Sequence, residues 1–284
     1  MRKTVYAAVM LIFLFVPALS AAAQAPYSLQ PYRNLEMGMM FHHFDYEEDL
    51  PAPLKSTEDG WLPGFYVGWD RNRKNALYTK LYMEISSGDV TYDGTTQTGE
   101  PVHFSVDNTQ FLFRGEFNLG YNFPVSPNLS FIPYIGYGYR YWSRGQAKVT
   151  QAYQSYSESY RWHYLPVGIK ADFNPGGPVS VAPNIGLRIM FYGTMTAYFS
   201  DLDHRYSNPE FDLGNEVGWY AEVPVKIKLS RMWSLVVKPW YEHSKIGKSD
   251  DVDVWYRGQY EGTYYEPSSK TVQYGINVGL VYTY

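Results

Sequence analysis

The segment Val272–Tyr284 alternates without a break. Val272, Tyr274, Ile276, Val278, Leu280, Tyr282 and Tyr284 fall on one side of an extended chain. Gln273, Gly275, Asn277, Gly279, Val281 and Thr283 fall on the other. Successive side chains of a strand point to opposite faces, so this is a strand with one wholly apolar or aromatic face. A soluble sheet accommodates such a strand once. A chain that repeats the pattern ten times is constrained far more tightly.

Ten segments read as extended: 34–44, 61–70, 76–88, 109–123, 129–145, 162–173, 179–200, 213–229, 233–244 and 271–284. Each spans at least ten residues, where about 5–6 is usual in globular proteins. The connections alternate in length. Arg71–Asn75, Pro124–Asn128, Asn174–Pro178 and Ser230–Met232 are short, and two of them carry the turn strings Pro-Val-Ser-Pro-Asn and Asn-Pro-Gly-Gly-Pro. Those around 45–60, 89–108, 146–161, 201–212 and 245–270 are longer and polar. Short turns at one end and long loops at the other are the asymmetry of an outer-membrane barrel, and an even strand count puts both chain ends at the short-turn rim.

The faces carry more information than the count. Leu129, Phe131, Pro133, Ile135, Tyr137, Tyr139 and Tyr141 form one row, opposed by Gly136, Gly138, Arg140 and Arg144. Ile185, Leu187, Ile189 and Phe191 oppose Asn184 and Arg188, while Phe111, Phe113, Phe117 and Leu119 oppose Arg114, Glu116 and Asn118. Across all ten strands the apolar rows contain no Asp, Glu, Lys or Arg. The opposite rows place Lys80, Glu84, Arg114, Glu116, Arg140, Arg188, Glu222, Lys226, Lys238 and Glu242 in a lumen network, with Glu36, Asp70, Arg144, Lys170, Asp172, Glu216 and Lys228 in the same rows. A soluble sandwich would turn those charges outward and join the apolar rows inside, but the strand lengths favour a membrane. The expected fold is all-β, a transmembrane antiparallel up-and-down barrel of about ten strands. Isolated charges in a narrow bore are costly, so mixed signs imply pairing across it. Ten strands lie near the filled end of barrel sizes.

Composition supports this frame. Arg2 and Lys3 precede an apolar run from Val5 to Leu19 and small residues at Ser20–Ala25, so residues 1–25 read as a signal peptide cut after Ala23 or Ala25, with the barrel in 26–284. The formal net charge is −4, too mild to favour nucleic acid as a partner. Absence of cysteine excludes a disulfide framework and thiolate chemistry. Aromatic residues make up 18% of the chain, including 29 tyrosines, as aromatic girdles require.

The ten-strand layout, its long loops and its aromatic end resemble the omptin family of outer-membrane proteases. The stretches YIGYGYRYWSRGQ (134–146), WHYLPVGI (162–169) and GLVYTY (279–284) are similar to strands of that family. Omptins place an Asp-His pair on the fourth surface loop and an Asp pair on the opposite wall, and together these activate a water. The resemblance therefore implies Asp201, Asp203 and His204 on the fourth loop and Asp89 and Asp93 on the second as catalytic candidates. A carboxylate beside an imidazole fixes its tautomer and raises its basicity. The family separates each pair by one residue, whereas Asp203 and His204 are adjacent and Asp89 and Asp93 are four apart.

Two acidic loop clusters, Asp45/Glu47/Glu48/Asp49 and Asp250/Asp251/Asp253, supply oxygen ligands but lack the spacing of a dedicated calcium loop. No metal site and no cofactor is expected. Trp255, Tyr256, Tyr260, Tyr264 and Tyr265 make the fifth loop aromatic, as a ligand-contacting surface or as strands projecting past the membrane. The expected protein is a monomer in the outer membrane, reached by export through the inner membrane. Its expected partners are outer-membrane lipid, lipopolysaccharide and the barrel-assembly machinery acting on the C-terminal strand. Three functions remain open: a surface or structural protein with a mostly blocked lumen, a narrow passive channel, or an omptin-like endopeptidase.

Overall fold

A computed structural model of the chain describes residues 33–95, 104–147 and 155–284. The proposed signal peptide lies outside these residues. Six long strands open the fold: β1 (Arg33–Glu48), β2 (Ser56–Arg71), β3 (Ala76–Gly94), β4 (Phe104–Ser126), β5 (Leu129–Ala147) and β6 (Glu158–Phe173). β7 (Val179–Val181) and β8 (Asn184–Ala197) follow, then the short β9 (Glu210–Asp212), β10 (Val217–Glu222) and β11 (Val225–Lys228). β12 (Trp233–Ile246), the separate hairpin β13 (Val252–Tyr256) and β14 (Gln259–Tyr264), and β15 (Ser269–Thr283) complete it.

Every pairing is antiparallel, and the ring closes where β15 pairs with β1, Met39 opposite Val278. Among the described residues ten staves form the wall, because β7 with β8 and β10 with β11 are each one stave interrupted by proline. Ala182-Pro183 and Val223-Pro224 sit at the two breaks, where a ring nitrogen has no proton for the ladder. Their carbonyls still accept, Pro183 from Ala171 at 2.8 Å and Pro224 from Ala182 at 2.9 Å. No helix among the described residues is long and apolar enough to cross a membrane. Crossing therefore falls to the strands.

The outward rows are those read from alternation: Met37, Met39, Phe65, Leu81, Met83, Ile85, Leu187, Ile276, Val278 and Leu280 are all exposed. These are side chains that water would not leave uncovered on a wall of this extent, so the solvent they suit is lipid. One stave changes parity. Between His163 and Tyr164 the β6–β8 register shifts, with His163 opposite Tyr192 and Tyr164 opposite Met190. Phe191 and Tyr192 both face outward across this bulge, so Met190 faces inward before it and Met195 and Ala197 after it.

All the long connections but the fourth are shorter than their polarity implied, because the strands run on past the apolar rows. The first covers 49–55 rather than 45–60, and Asp89 and Asp93, expected in the second, lie on β3 itself. Polar outward residues mark this overhang: Asp45 and Glu47 follow Phe41 and His43, and Ser87, Asp89, Thr91 and Asp93 follow Ile85. At this end Phe44, Tyr46, Leu62, Trp142 and Tyr160 of the staves form one buried cluster with Phe199, Phe211 and Val254 of the fourth and fifth connections.

Candidate functional site: the charged lumen

Inside the wall the charges are stacked in layers. Nearest the short turns, Lys80, Lys170, Lys226 and Lys238 share the bore with Glu36, Asp70, Asp172 and Glu222. Lys238 reaches Glu36 at 3.0 Å and Lys80 reaches Glu222 at 3.8 Å. Lys170 lies within the fields of Asp172 and Asp70, and Lys226 within that of Glu36. Asn34 and Asn72 donate to Asp70 and Asp172 at 3.0 and 2.8 Å.

Above them three arginines from three staves converge on one carboxylate. Arg114, Arg140 and Arg188 reach Glu242 at 2.7, 2.6 and 2.7 Å. Glu84 takes the other side of Arg114 at 2.8 Å, and Glu116 takes Arg188 at 2.8 Å. Tyr164 donates to Glu116 at 2.7 Å, and the guanidinium of Arg188 lies 4.0 Å from the Tyr220 ring centre. Room for these rings comes from glycines on the same face: a Cβ on Gly138 would fall inside the Tyr164 ring. A small polar cavity beside this hub is lined by Tyr82, Arg114, Arg188, Trp240 and Glu242.

The third layer lies in the overhang and was not legible as a lumen layer. Arg144 meets Glu58 at 2.5 Å, Glu158 at 2.8 Å and Glu48 at 3.4 Å. Glu48, Glu58 and Glu158 lie in the segments that read as loops, 45–60 and 146–161, although alternation carried past His43 (Phe44, Tyr46, Glu48) turns Glu48 inward. The first acidic cluster is thereby split, since Asp45 and Glu47 face out. Glu216 and Lys228, expected inside, are exposed where their stave ends.

The proposed catalytic residues are each engaged by other partners or left in solvent. Asp201 accepts from the backbone nitrogen of Ser157 at 3.0 Å and from its hydroxyl. Asp203 is clamped by Arg205, whose Nε donates at 2.8 Å, and Tyr256 donates to it at 3.3 Å. That clamp drives the Asp203 carboxyl well below the usual carboxylate range. His204 Nδ1 stands 3.4 Å from Asp203, with 89% of its side chain exposed. Asp89 and Asp93 face outward on β3, where Asp89 accepts from Thr109 at 2.6 Å and Asp93 pairs with Lys55. The outward parity of β3 turns the second pair away from the bore over which the first would have to act.

A closed antiparallel ring with apolar exterior and charged interior defines an integral outer-membrane β-barrel. The autotransporter beta-domain family model matches residues 34–238, and the chain belongs to that family. Among solved structures it is similar to the outer-membrane protease OmpT of Escherichia coli, at 9% identity and TM-score 0.60 over 92% of this chain and 99% of that one. The translocator domain of the autotransporter NalP from Neisseria meningitidis matches at 9% identity and TM-score 0.44, over 99% and 97%. OprG of Pseudomonas aeruginosa matches at 10% identity and TM-score 0.43, over 89% and 96%. No curated protein matches the chain in sequence. The OmpT likeness bears on the fold alone, and the family match agrees with an outer-membrane location.

Proposed function

We propose that this barrel is a surface or structural protein of the outer membrane whose lumen is blocked and whose long-connection end, facing outward, makes its contacts. One observation carries the reading: arginines from β4, β5 and β8 meet a glutamate of β12 across the bore. A cross-bore hub of this kind, capped by the Phe44–Trp142–Tyr160 cluster, leaves no wide aqueous path. The exposed Trp255, Tyr260 and Tyr265 on and beside the β13–β14 hairpin supply the contacting surface. Rings such as Trp61 and Tyr274 at one edge of the apolar band, and Trp233 and Tyr282 at the other, act as its interfacial girdles.

In this reading residues 1–25 direct export across the inner membrane and are removed. The assembly machinery then engages the C-terminal strand, and the monomer sits among lipid and lipopolysaccharide. Single-channel recording in planar bilayers tests the blocked lumen, with no conductance steps expected. Regular steps would replace this reading with a narrow channel. Incubation with dibasic peptides in lipopolysaccharide-containing micelles is expected to give no cleavage, in keeping with the outward orientation of Asp89 and Asp93 on β3.

A further inference from the structure

The two inner layers of the lumen are electrically matched, three arginines against three glutamates and four lysines against four carboxylates. The overhang layer is not. Among the described residues, Arg144 is the one cation facing Glu48, Glu58, Glu158 and Glu266 there. Glu266 is 6% exposed and belongs to the segment that returns from the β13–β14 hairpin to β15.

Hydrogen-bond geometry locates the missing positive charge. The Tyr160 hydroxyl lies 2.7 Å from Glu266 Oε1 and 3.0 Å from Glu158 Oε2. A phenol has one proton to give and cannot donate to both. With both carboxyls ionised, one oxygen would face only the phenol's lone pairs. Glu158 already receives Arg144 at 2.8 Å, and Glu58 receives Arg144, Asn108 at 2.7 Å and Gln110 at 3.0 Å. Glu48 receives Ser56 at 2.7 Å and Tyr46 at 3.1 Å. Ser269 is 3% exposed and sits opposite Glu48 on the inward face of the β1–β15 ladder, and its Oγ has no hydrogen-bond partner. No group of three or more His, Cys, Asp or Glu among the described residues is arranged to hold a metal ion.

We infer that the overhang chamber binds a proton at neutral pH, carried by Glu266 and passed through Tyr160 to Glu158, and that this proton latches the fifth connection onto the barrel mouth. The inference goes beyond the blocked-lumen reading and does not depend on it. The latch is mechanical as well as electrostatic. The Glu266 backbone nitrogen donates to Ser249 Oγ at 2.8 Å and its carbonyl accepts from Ser249 at 3.0 Å, closing the base of the hairpin segment. Groups facing Glu266 are Tyr46 and Glu48 of β1, Arg144 of β5, Tyr156 before β6, and Glu158 and Tyr160 on β6, while Glu58 of β2 and Tyr92 of β3 face Arg144 and Glu158 in the same chamber. Burial pushes all four tyrosines up, so they remain neutral phenols.

Burial, with Glu158 and Glu48 close by, also holds the Glu266 carboxyl well above the usual carboxylate range. An acid whose folded pKa exceeds its unfolded one gives stability that is complete below the unfolded value. That stability is lost as pH rises through the folded value. The latch must therefore loosen on the alkaline side.

Amide hydrogen exchange of the refolded full-length barrel, corrected for intrinsic rates and followed from about pH 5 to about pH 9, tests this. Exchange in residues 249–266 is expected to accelerate about tenfold per pH unit while the closed segment keeps the proton and the opened one has lost it, and to level off once the closed form also ionises. A protonated-carboxyl infrared band should disappear where the exchange levels off. Glu266→Gln, which mimics the neutral acid, should keep the segment protected at all these pH values and lack the band. Constant protection and no such band in the unsubstituted protein would overturn the inference without reference to any variant. An unchanged pH dependence in Glu266→Gln would overturn it too, and so would loosening of the segment by a chelator at neutral pH.

Discussion

Adjacent side chains on one stave live in different solvents, and the pair Leu187–Arg188 shows how differently. Leu187 is 46% exposed on the lipid face, whereas Arg188 points inward to Glu116 and Glu242. Leu187→Arg is expected to cost about 2–4 kcal/mol, as for a charge near the bilayer midplane. It is read as a lower urea midpoint for unfolding from vesicles. Glu242→Gln leaves three guanidinium groups converging on a neutral amide. Loss of one partner of a buried ion pair costs about 3–5 kcal/mol, so the same measurement should place it at or beyond the Leu187 variant. Gly138→Leu drives a side chain into the Tyr164 ring and should cost about 1–3 kcal/mol by overpacking. The outward Gly115, whose added Cβ meets nothing nearer than 3.5 Å, should tolerate Ala.

At the level of the element, the bulge in β8 sets which face of Gly193–Ala197 the fourth connection can use. Deleting Tyr192 removes the extra residue and leaves Met195 and Ala197 facing inward. Deleting Thr194 instead turns both outward and breaks their contact with the cluster holding Phe199 and Phe211. The first variant is expected to resist limited proteolysis as the parent does, the second to be cut between 198 and 213. Alternation made the staves and their faces legible from residues alone, because a period of two survives any choice of partner. The proline breaks at Pro183 and Pro224 did not disturb that parity. Alternation did not show where the apolar band ends. Residues such as Asp45, Glu47, Glu48 and Glu58 are polar on both faces of the overhang, and a polar run reads as loop. The overhang layer around Arg144 was therefore missed, and Asp89 and Asp93 were placed in a loop when they project from a wall. Ion-pair partners were beyond reach for another reason: Arg114 and Glu242 are 128 positions apart, and only ring closure brings them together.

The whole molecule is a wall whose stability and closure are one property. Every stave has two neighbours, and the seam between β1 and β15 joins the start of the described chain to its end through a continuous ladder from Asn34–Thr283 to Glu48–Ser269. Replacing residues 252–264 of the fifth connection by a short Gly/Ser linker removes a hairpin that contributes no stave. The shortened barrel is expected to keep its heat-modifiable, compact electrophoretic form and to lose only the hairpin's own contacts, among them Val254 in the cluster with Phe199 and the bonds of Trp255, Tyr256 and Arg257 to the fourth connection. Loss of the compact form would mean that the overhang is needed for ring closure itself.

The meeting of three arginines on Glu242 has a consequence for how such a wall can be built. Its cations arrive on β4, β5 and β8, and the anion they share arrives on β12, after all of them. A half-made sheet lying open in the bilayer would hold those guanidinium groups against acyl chains with their main counter-charge absent, at a cost of about 2–4 kcal/mol each. Insertion one hairpin at a time is thus an uphill route. The nascent barrel has to curl around water first and expel it only when the twelfth strand brings the final carboxylate home.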